Sequence, residues 1–293
     1  MRFACASLLS LMLAAVSCAQ ENRSELLYDQ KSPFNHIQVR RQPDGLMTLQ
    51  FADSARPATQ TALYPDRPHE LILPYARALA ASVLFRPDAK RVLIIGLGGG
   101  ALPAFLRRHF PETQITAVEL DPKVIEVARQ FFAFKEDDKL KAVAGDGRKF
   151  IETTEETYDL IVLDAYGPES IPRALATREF LAAVKKRLSP GGVVASNIPG
   201  PNSNDLYDQM IQTYRELFPE LHVIKAPEPS VQQTLVALPQ KLGVTKEGLV
   251  TQAQTVGEKL RLNFDLADVV KSGYRTAPSI PRSTPPLRDS DKQ

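Results

Sequence analysis

The sequence predicts an α/β protein built on a doubly wound, mostly parallel sheet of seven strands, preceded by a small β-hairpin region. Between residues 91 and 238, short apolar runs alternate with amphipathic stretches of helical period, as expected for successive βαβ units. Residues 92–95 are apolar without interruption, as in a strand buried on both faces of a parallel sheet. A glycine-rich turn follows that strand and precedes a helical stretch, a connection typical of doubly wound sheets.

The first 19 residues are predicted to form a signal peptide. Arg2 is followed by an uncharged apolar run of about fifteen residues, which is shorter than the roughly 20 residues of a membrane span. The sequence Ala15-Val16-Ser17-Cys18 is similar to a bacterial lipobox, and lipid on Cys18 would anchor an otherwise soluble protein to the membrane. We therefore expect an exported protein, periplasmic or membrane-anchored. Simple cleavage near Ala19 and a cytoplasmic protein with an N-terminal helix remain alternatives.

Residues 20–88 are interpreted as an N-terminal β-hairpin with a linking helix. Residues 20–31 are polar and are predicted to be a linker. Residues 36–40 and 47–51 alternate in polarity around the turn sequence Pro43-Asp44-Gly45, which predicts a hairpin. Helical periodicity over residues 70–84 then leads to a boundary at Arg86-Pro87-Asp88.

Residues 89–240 are expected to form the main domain. After the strand at 91–95, further strands are predicted at 115–118, 140–144, 159–163, 193–196, 221–225 and 234–238. Helices are predicted at 102–110, 122–132, 180–188 and 206–217, with the 180–188 helix closed by Ser189-Pro190-Gly191-Gly192. The last two strands are expected to form a closing hairpin. In the C-terminal region, 241–293, we predict a helix at 248–262 and a disordered tail at 277–293, which is rich in proline, serine and charge.

Composition excludes several classes of function. The 293 residues include 36 Lys and Arg against 34 Asp and Glu, so no excess of positive charge points to nucleic acid. The two cysteines, Cys5 and Cys18, both lie near the N-terminus, which excludes a disulfide framework, a cysteine zinc site or a cysteine nucleophile in the main domain. The four histidines lack metal-ligand spacing, and no metal site is predicted.

Glycines and carboxylates at successive strand ends predict a site for an adenosyl ligand. Gly96, Gly98 and Gly100 form the turn after the first parallel strand, where glycine lets a ligand approach the backbone and the next helix offers amide donors. Glu119 ends the next strand, 23 positions after Gly96, and can accept hydrogen bonds from ribose hydroxyls. We expect this carboxylate to face the cleft and to contribute little to stability.

Two further carboxylates follow the third and fourth strands. Asp146 lies in Gly145-Asp146-Gly147 and Asp164 in Leu163-Asp164-Ala165. Both are expected in the crevice at the carboxyl edge of the sheet, Asp146 near adenine and Asp164 near the reacting centre. An NAD site is an alternative, because Gly96-x-Gly98-x-x-Ala101 fits a relaxed dinucleotide motif. This NAD alternative is opposed by Gly100, by the Gly145-Asp146-Gly147 turn and by the closing strand pair.

From Glu25 to about Pro239 the chain resembles the spermidine synthase (polyamine aminopropyltransferase) family, which has the class I S-adenosylmethionine-dependent methyltransferase fold. The matching segments are the hairpin, Gln60, His69-Glu70, Gly96-Leu97-Gly98-Gly99-Gly100, Val118-Glu119-Leu120-Asp121-Pro122, Gly145-Asp146-Gly147-Arg148, Asp164-Ala165-Tyr166-Gly167-Pro168 and Asn197-Ile198-Pro199-Gly200.

The resemblance implies a donor that is S-adenosylmethionine or its decarboxylated form and a small amine as acceptor. We also expect a homodimer, with neither metal nor nucleic acid bound. It implies that Gly96, Gly98, Gly100, Glu119, Asp146, Gly147 and Gln60 bind the donor. Asp164 would be the general base or amine-orienting carboxylate, and His69, Glu70 and Tyr166 would contact the acceptor.

Three positions depart from the family. Gly99 and Gly167 stand where spermidine synthases usually carry aspartate, and Pro68 stands where they carry tyrosine. A polycationic acceptor is best recognised by several fixed carboxylates, so we expect weak activity or none with putrescine. The leading hypothesis is aminopropyl transfer. Methyl transfer on the same fold and an exported, non-catalytic binding module are the alternatives.

Overall fold

The structure is a computed structural model that describes residues 24–53, 57–165 and 171–291. The predicted signal peptide, the proposed lipidation at Cys18 and the acceptor contact at Tyr166 therefore lie outside the described residues. Within the described ranges, the chain forms two sheets, one antiparallel and one mostly parallel.

The helices and strands have the following bounds. The strands are β1 Glu25–Lys31, β2 His36–Arg41, β3 Met47–Phe51, β4 Ala58–Leu63, β5 Arg91–Ile95, β6 Gln114–Glu119, β7 Leu140–Ala144, β8 Tyr158–Leu163, β9 Leu188–Pro199, β10 Glu220–Lys225, β11 Gln232–Leu238 and β12 Tyr274–Thr276. The helices are α1 Pro74–Ala80, α2 Ala101–His109, α3 Pro122–Phe131, α4 Gly147–Thr153, α5 Arg178–Lys186, α6 Tyr207–Leu217, α7 Lys246–Leu260 and α8 Leu266–Gly273. A 3₁₀ turn, Ala81–Phe85, extends α1.

The doubly wound sheet is confirmed, with one more strand than predicted. Its order is β12-β10-β11-β9-β8-β5-β6-β7. Strands β7, β6, β5, β8 and β9 pair in parallel, and β11, β10 and β12 follow in antiparallel pairing. The eighth strand, β12, has three residues, too few to show a periodic pattern. Because β5 has β6 on one side and β8 on the other, the winding reverses between β5 and β8, and a crevice opens at their carboxyl ends.

The N-terminal region is a four-stranded antiparallel sheet, of which the predicted hairpin forms the middle. The prediction of a linker at residues 20–31 is wrong from Glu25 onward, because β1 pairs with β2 from Glu25 opposite Arg41 to Lys31 opposite His36. Strand β1 is polar because it is the edge of the sheet and much of it is exposed. Its sequence therefore lacks the apolar alternation by which strands are usually found.

Apolar packing and one buried carboxylate attach this sheet to the main domain. The buried side chains of Ile37 and Leu49 pack in one cluster with Val127 of α3 and with Phe132. Asp121 begins α3 as its N-cap, accepting from the backbone N–H of Lys123 at 2.9 Å. Its other oxygen accepts from Ser32 Oγ at 2.5 Å and from Asn35 Nδ2 at 3.2 Å. Asp121, which has no exposed surface, thus joins the β1–β2 turn to the start of α3.

Two predicted boundaries differ from the structure. The helix expected at 70–84 begins at Pro74, the first helical position, where proline fits because its missing N–H has no intrahelical partner. The turn expected at 189–192 lies inside β9. Gly191 there has a φ of +72°, and the pairing of β8 with β9 shifts register between Tyr158 and Leu160. These glycines therefore form an irregularity within a strand.

The C-terminal segment, predicted to be disordered, packs on the main domain up to residue 291. Leu287 is completely buried. Its backbone N–H donates to Thr213 Oγ1 at 2.9 Å, and its carbonyl accepts from the backbone N–H of Arg178 at 2.8 Å. The composition suggested disorder because the segment lacks periodic apolar residues, but tertiary contacts order it. Across the described ranges, no helix is both long and apolar enough to span a bilayer.

We predict that Asp121→Ala lowers the free energy of unfolding by about 2–4 kcal/mol, because it removes a helix cap and leaves buried donors unpaired. Chemical denaturation monitored by circular dichroism measures the change. Asp66→Ala, an exposed carboxylate near Arg67, serves as the control and should change stability by less than about 0.5 kcal/mol. Equal effects of the two substitutions would contradict the role assigned to Asp121.

Candidate active site

A cleft of about 530 Å³ lies at the carboxyl ends of β5 and β8, and the N-terminal sheet contributes to its lining. Seven of the residues predicted from the sequence line it: Gln60, Gly96, Gly98, Glu119, Asp146, Gly147 and Asp164. They follow different strands of two sheets, and the fold brings them together. A volume of this size lies within the range of small-molecule sites, roughly 300–1,000 Å³.

The turn after β5 approaches β8 so closely that only glycine fits at its first position. Gly96 has a φ of +102°, and a Cβ placed there would lie 2.3 Å from the backbone oxygen of Asp164. The Gly96 N–H donates to the Val118 carbonyl at 2.8 Å, and the Asp164 N–H donates to the Ile95 carbonyl at 2.8 Å. The ends of β5, β6 and β8 are thereby held together at one edge of the cleft.

The N-terminal sheet also contacts this turn, through Thr61 of β4. Thr61 Oγ1 accepts from the Gly99 N–H at 2.8 Å. A Cβ on Gly99 would lie 2.7 Å from Thr61 Cγ2 and 3.0 Å from the ring of Phe132. Gly99, the position at which spermidine synthases usually carry aspartate, therefore packs against protein and is not part of the cleft lining.

Gly100, which is predicted to bind the donor, is buried and is not among the residues that line the cleft. It is the N-cap of α2 with a φ of +81°, and a Cβ there would lie 2.5 Å from the ring of Phe134. Glycine is needed at this position for the left-handed backbone and for close packing against Phe134.

Glu119 is held by backbone N–H groups. Its Oε2 accepts from Leu97 at 2.9 Å and its Oε1 accepts from Asp121 at 3.1 Å. Burial raises the pKa of Glu119, and the hydrogen bonds from the backbone of Asp121, Leu97 and Gly98 oppose that rise. Its carboxylate thus attaches the glycine turn to the end of β6, which gives Glu119 a structural contact that the sequence did not predict.

Asp146 and Gly147 combine a structural role with their place in the cleft. Asp146 is the N-cap of α4, and its Oδ1 accepts from the Lys149 N–H at 2.9 Å. A Cβ on Gly147 would lie 2.3 Å from Ile95 Cγ2, so glycine lets α4 start close against β5. The two residues set the position of the cleft wall beyond β7.

Asp164 is the candidate group for chemistry. It reaches the cleft surface, but so much protein surrounds it that burial raises the pKa of its carboxyl to about 7. A hydrogen bond from Asn197 Nδ2 to Asp164 Oδ1 at 2.8 Å opposes the rise, and the charge of Glu119 adds to it. Near neutral pH this carboxyl is therefore poised between its two protonation states, as suits a proton acceptor.

Asn197 and Tyr75 are polar residues of the cleft to which the sequence assigned no role. Asn197 is 4% exposed and lies within β9 next to Asp164, since Ser196 pairs with Leu163 in the parallel ladder. A comparison of residues that end neighbouring predicted strands could have found it. Tyr75 of α1 donates from its hydroxyl to the backbone oxygen of Gln60 at 2.7 Å, and both residues line the cleft.

The proposed acceptor contacts His69 and Glu70 are not among the residues that line the cleft. The His69 ring packs against His109, with ring centroids 6.1 Å apart. Glu70 accepts from Arg67 Nη1 at 3.1 Å. Both side chains therefore contact other residues outside the cleft lining, in the segment that precedes α1. Among the described residues, no group of three or more metal-ligating side chains could hold a metal ion.

Comparisons with known proteins show which family this chain is similar to. The family model described as "Spermine/spermidine synthase domain" matches residues 73–239. The chain is 33% identical over 258 residues to a polyamine aminopropyltransferase of Vibrio vulnificus, covering 87% of this chain and 85% of the relative. The family match spans the parallel sheet and the residues that follow its strands.

Two solved structures extend the comparison. A probable spermidine synthase from Corynebacterium glutamicum superposes with a TM-score of 0.69 at 17% identity, over 90% of this chain and 97% of that one. Human methyltransferase-like protein 13, in complex with SAH, superposes with a TM-score of 0.55 at 30% identity, over 65% of this chain and 90% of that one. The class I methyltransferase-like fold predicted from the sequence is confirmed.

We predict that Asp164→Asn stabilises the protein above pH 7. Because burial raises the pKa of Asp164 to about 7, the folded state binds a proton that the unfolded chain releases near pH 4, so wild-type stability falls as the pH rises across this interval. The amide of the Asp164→Asn variant does not titrate in this pH range. At pH 8 it should be more stable by about 1–3 kcal/mol, a difference that nearly vanishes by pH 4.5.

Urea unfolding at several pH values measures this difference. Asp208→Asn, the same substitution on the exposed start of α6, is the matched control and should show no such trend. A constant difference between wild type and Asp164→Asn at all pH values would show that the Asp164 carboxyl titrates normally.

Proposed function

The chain belongs to the spermine/spermidine synthase family, and from this premise we propose that it transfers an aminopropyl group from decarboxylated S-adenosylmethionine to an amine. The observation that carries the proposal is the position of Asp164. Its poorly solvated carboxyl lies in the same cleft as Glu119 and the glycine turn. A proton acceptor and a nucleoside-binding surface therefore face one space.

The cleft fits the adenosyl part of such a donor. Gly96 and Gly98 expose backbone where a ligand can approach, and Glu119 presents a carboxylate at the end of β6 for the ribose hydroxyls. Asp146 lines the cleft beyond β7 and is assigned to the adenine amine. The carboxylate of Glu119 is already oriented by backbone N–H groups, so binding does not need to order it.

In the proposed reaction the lone pair of a neutral amine attacks the aminopropyl methylene bound to the sulfonium sulfur. The new carbon–nitrogen bond forms as the carbon–sulfur bond breaks, and methylthioadenosine leaves with the sulfur electrons. The nitrogen then carries a positive charge and an extra proton. Ionised Asp164 stabilises that charge and accepts the proton. The cleft contributes by holding nitrogen, carbon and sulfur in line.

The acceptor is proposed to be an amine with its reacting nitrogen near Asp164. The carboxylates that line the described part of the cleft are Glu119, Asp146 and Asp164, and the first two are assigned to the donor. Because a diamine gains affinity from a second fixed carboxylate, we expect putrescine to be a weak acceptor.

Methyl transfer is the second candidate. It is favoured by the likeness to human methyltransferase-like protein 13, whose structure contains SAH. The leaving product separates the two reactions, since aminopropyl transfer releases methylthioadenosine and methyl transfer releases S-adenosylhomocysteine. Both products are measured in the same assays, across mono-, di- and triamines. A wild-type protein that binds a donor but releases neither product with any acceptor would support the non-catalytic binding module.

We predict that Asp164→Asn keeps donor binding and loses transfer by roughly two to four orders of magnitude, the usual range for a positioned acid–base group. Calorimetry measures donor binding and chromatography measures product. In the wild type, kcat/KM should rise with pH through about 7, because the ionised carboxylate is the active form. Asp208→Asn should behave as the wild type. Equal transfer rates in Asp164→Asn and wild type would remove Asp164 from the mechanism.

We also propose export with lipidation at Cys18, on the sequence of residues 1–18. The expected mature chain begins at Cys18, carries lipid and fractionates with the membrane of a bacterial host. Mass spectrometry of that fraction tests this, and Cys18→Ser should release the protein into the soluble fraction. An intact Met1 on soluble wild-type protein would contradict export.

A further inference from the structure

The C-terminal segment, residues 287–291, contacts one wall of the cleft, which is formed by residues 172–175. In that wall, Pro172, Ala174 and Leu175 line the cleft. Arg173–Leu175 is a 3₁₀ turn of three residues whose N-cap makes no side-chain hydrogen bond. Such a short turn has little intrinsic stability, so contacts from outside must set its position. Residues 287–291 supply two of them.

Arg148 makes the first connection. This residue of α4 lines the cleft. Its guanidinium contacts both carboxylate oxygens of Asp289, with Nη1 to Oδ1 at 2.8 Å and Nη2 to Oδ2 at 2.5 Å. Its Nη1 also donates to the carbonyl of Ala174 at 3.1 Å. The paired geometry is the strong form of an arginine–carboxylate contact, and it connects the segment to the wall through a single side chain.

The second connection comes from the wall itself. Arg173 Nη2 donates to Asp291 Oδ2 at 3.0 Å. The same oxygen of Asp291 accepts from the backbone N–H of Arg288 at 2.8 Å, which fixes the carboxylate in a turn of the segment. Arg173 therefore joins the wall directly to the segment, in addition to the connection through Arg148.

Buried contacts hold the segment in place independently of these ion pairs. Leu287 is completely buried, and both its backbone N–H and its carbonyl are hydrogen-bonded to α6 and α5. The Asp289 N–H donates to Glu179 Oε2 at 3.0 Å. Because these contacts lie away from the cleft, the segment is a fixed support from which Asp289 and Asp291 hold the arginines.

We propose that residues 287–291 are a positioning element that fixes the cleft wall at 172–175 and thereby sets the affinity for the donor. The wall lines the same cleft as Asp146, and Arg148, two positions after Asp146, donates to its Ala174 carbonyl, so displacement of the wall changes the space assigned to adenine. Asp289 and Asp291 act through Arg148 and Arg173 and do not touch substrate. The binding part of this proposal rests on the proposed function, whereas its structural part does not.

The test removes the two charges while leaving Leu287 in place. In the double variant Asp289→Asn/Asp291→Asn, we expect the Kd for decarboxylated S-adenosylmethionine to rise roughly tenfold through misplacement of the wall. The N–H groups of Leu175 and Ala176, bonded to the carbonyls of Pro172 and Arg173 at 2.8 and 2.9 Å, should exchange hydrogen faster. Asp208→Asn/Asp66→Asn, two exposed acid-to-amide changes, is the matched control.

A second variant approaches the same contact from the wall. Arg173→Gln loses the bond to Asp291 and should also raise the Kd for the donor and speed exchange at residues 175 and 176. Asp289→Glu, which keeps the negative charge, should behave much as the wild type does. Thermal denaturation confirms that each variant is folded. Unchanged exchange in both charge-removing variants would overturn the proposal.

Two further outcomes are distinguished by the same measurements. Faster exchange with an unchanged Kd for the donor would show that the segment steadies the wall without setting donor affinity, which overturns the binding part. If the wild type releases no product with any amine, the proposed function fails, and hydrogen exchange alone then decides whether residues 287–291 hold the wall.

Discussion

The close approach of the chain ends after β5 and β8 is the constraint on which the site depends. A Cβ at position 96 would lie 2.3 Å from the Asp164 carbonyl oxygen, so glycine is required there and the two strand ends can share one edge. With that edge closed, Glu119 reaches the Leu97 N–H and Asp164 reaches Asn197. A larger residue at position 96 would separate the groups that the cleft brings together.

The same edge gives its two buried carboxylates different properties. Glu119 is fixed by backbone amides from the glycine turn and from Asp121, so it is a rigid acceptor suited to hydroxyl groups. Asp164 has one side-chain donor, Asn197, and burial raises its pKa to about 7. Burial raises the pKa of both carboxylates, but several backbone hydrogen bonds oppose the rise at Glu119, whereas a side-chain hydrogen bond from Asn197 opposes it at Asp164. A difference of this kind separates a binding group from a candidate base within a single cleft.

The sequence was sufficient for features that follow from parallel strand pairing. The carboxyl ends of parallel strands meet at one edge, so residues after predicted strands, such as Glu119 and Asp164, were placed in one crevice. The sequence was insufficient where tertiary contacts override the local pattern of polar and apolar residues. Strand β1 is polar because it is an edge, and Leu287 is buried within a segment that has the composition of a disordered tail.

Side-chain partners were the other point at which sequence patterns failed. Glu70 pairs with Arg67, and His69 packs on His109, which takes both away from the cleft, whereas Gly100 serves packing against Phe134. The parallel pairing of β8 with β9 ends at Leu163 opposite Ser196 and so brings Asn197 to Asp164, a neighbour relation that is known only once the strand order is known. The fold and most of the residues that line the cleft were thus predictable, and the contacts among them were not.

The joining of the N-terminal sheet to the main domain has a consequence for how complete folding can be measured. Thr61 contacts Gly99 across 38 positions of sequence, and Ser32 contacts Asp121 across 89. Closing such loops costs chain entropy before any contact repays it, and the pairing of β5 with β8, with Val92 opposite Leu160, is long-range as well. The glycine turn has all its partners only when both sheets are formed and joined. Ligand binding is therefore a more stringent measure of complete folding than secondary-structure content.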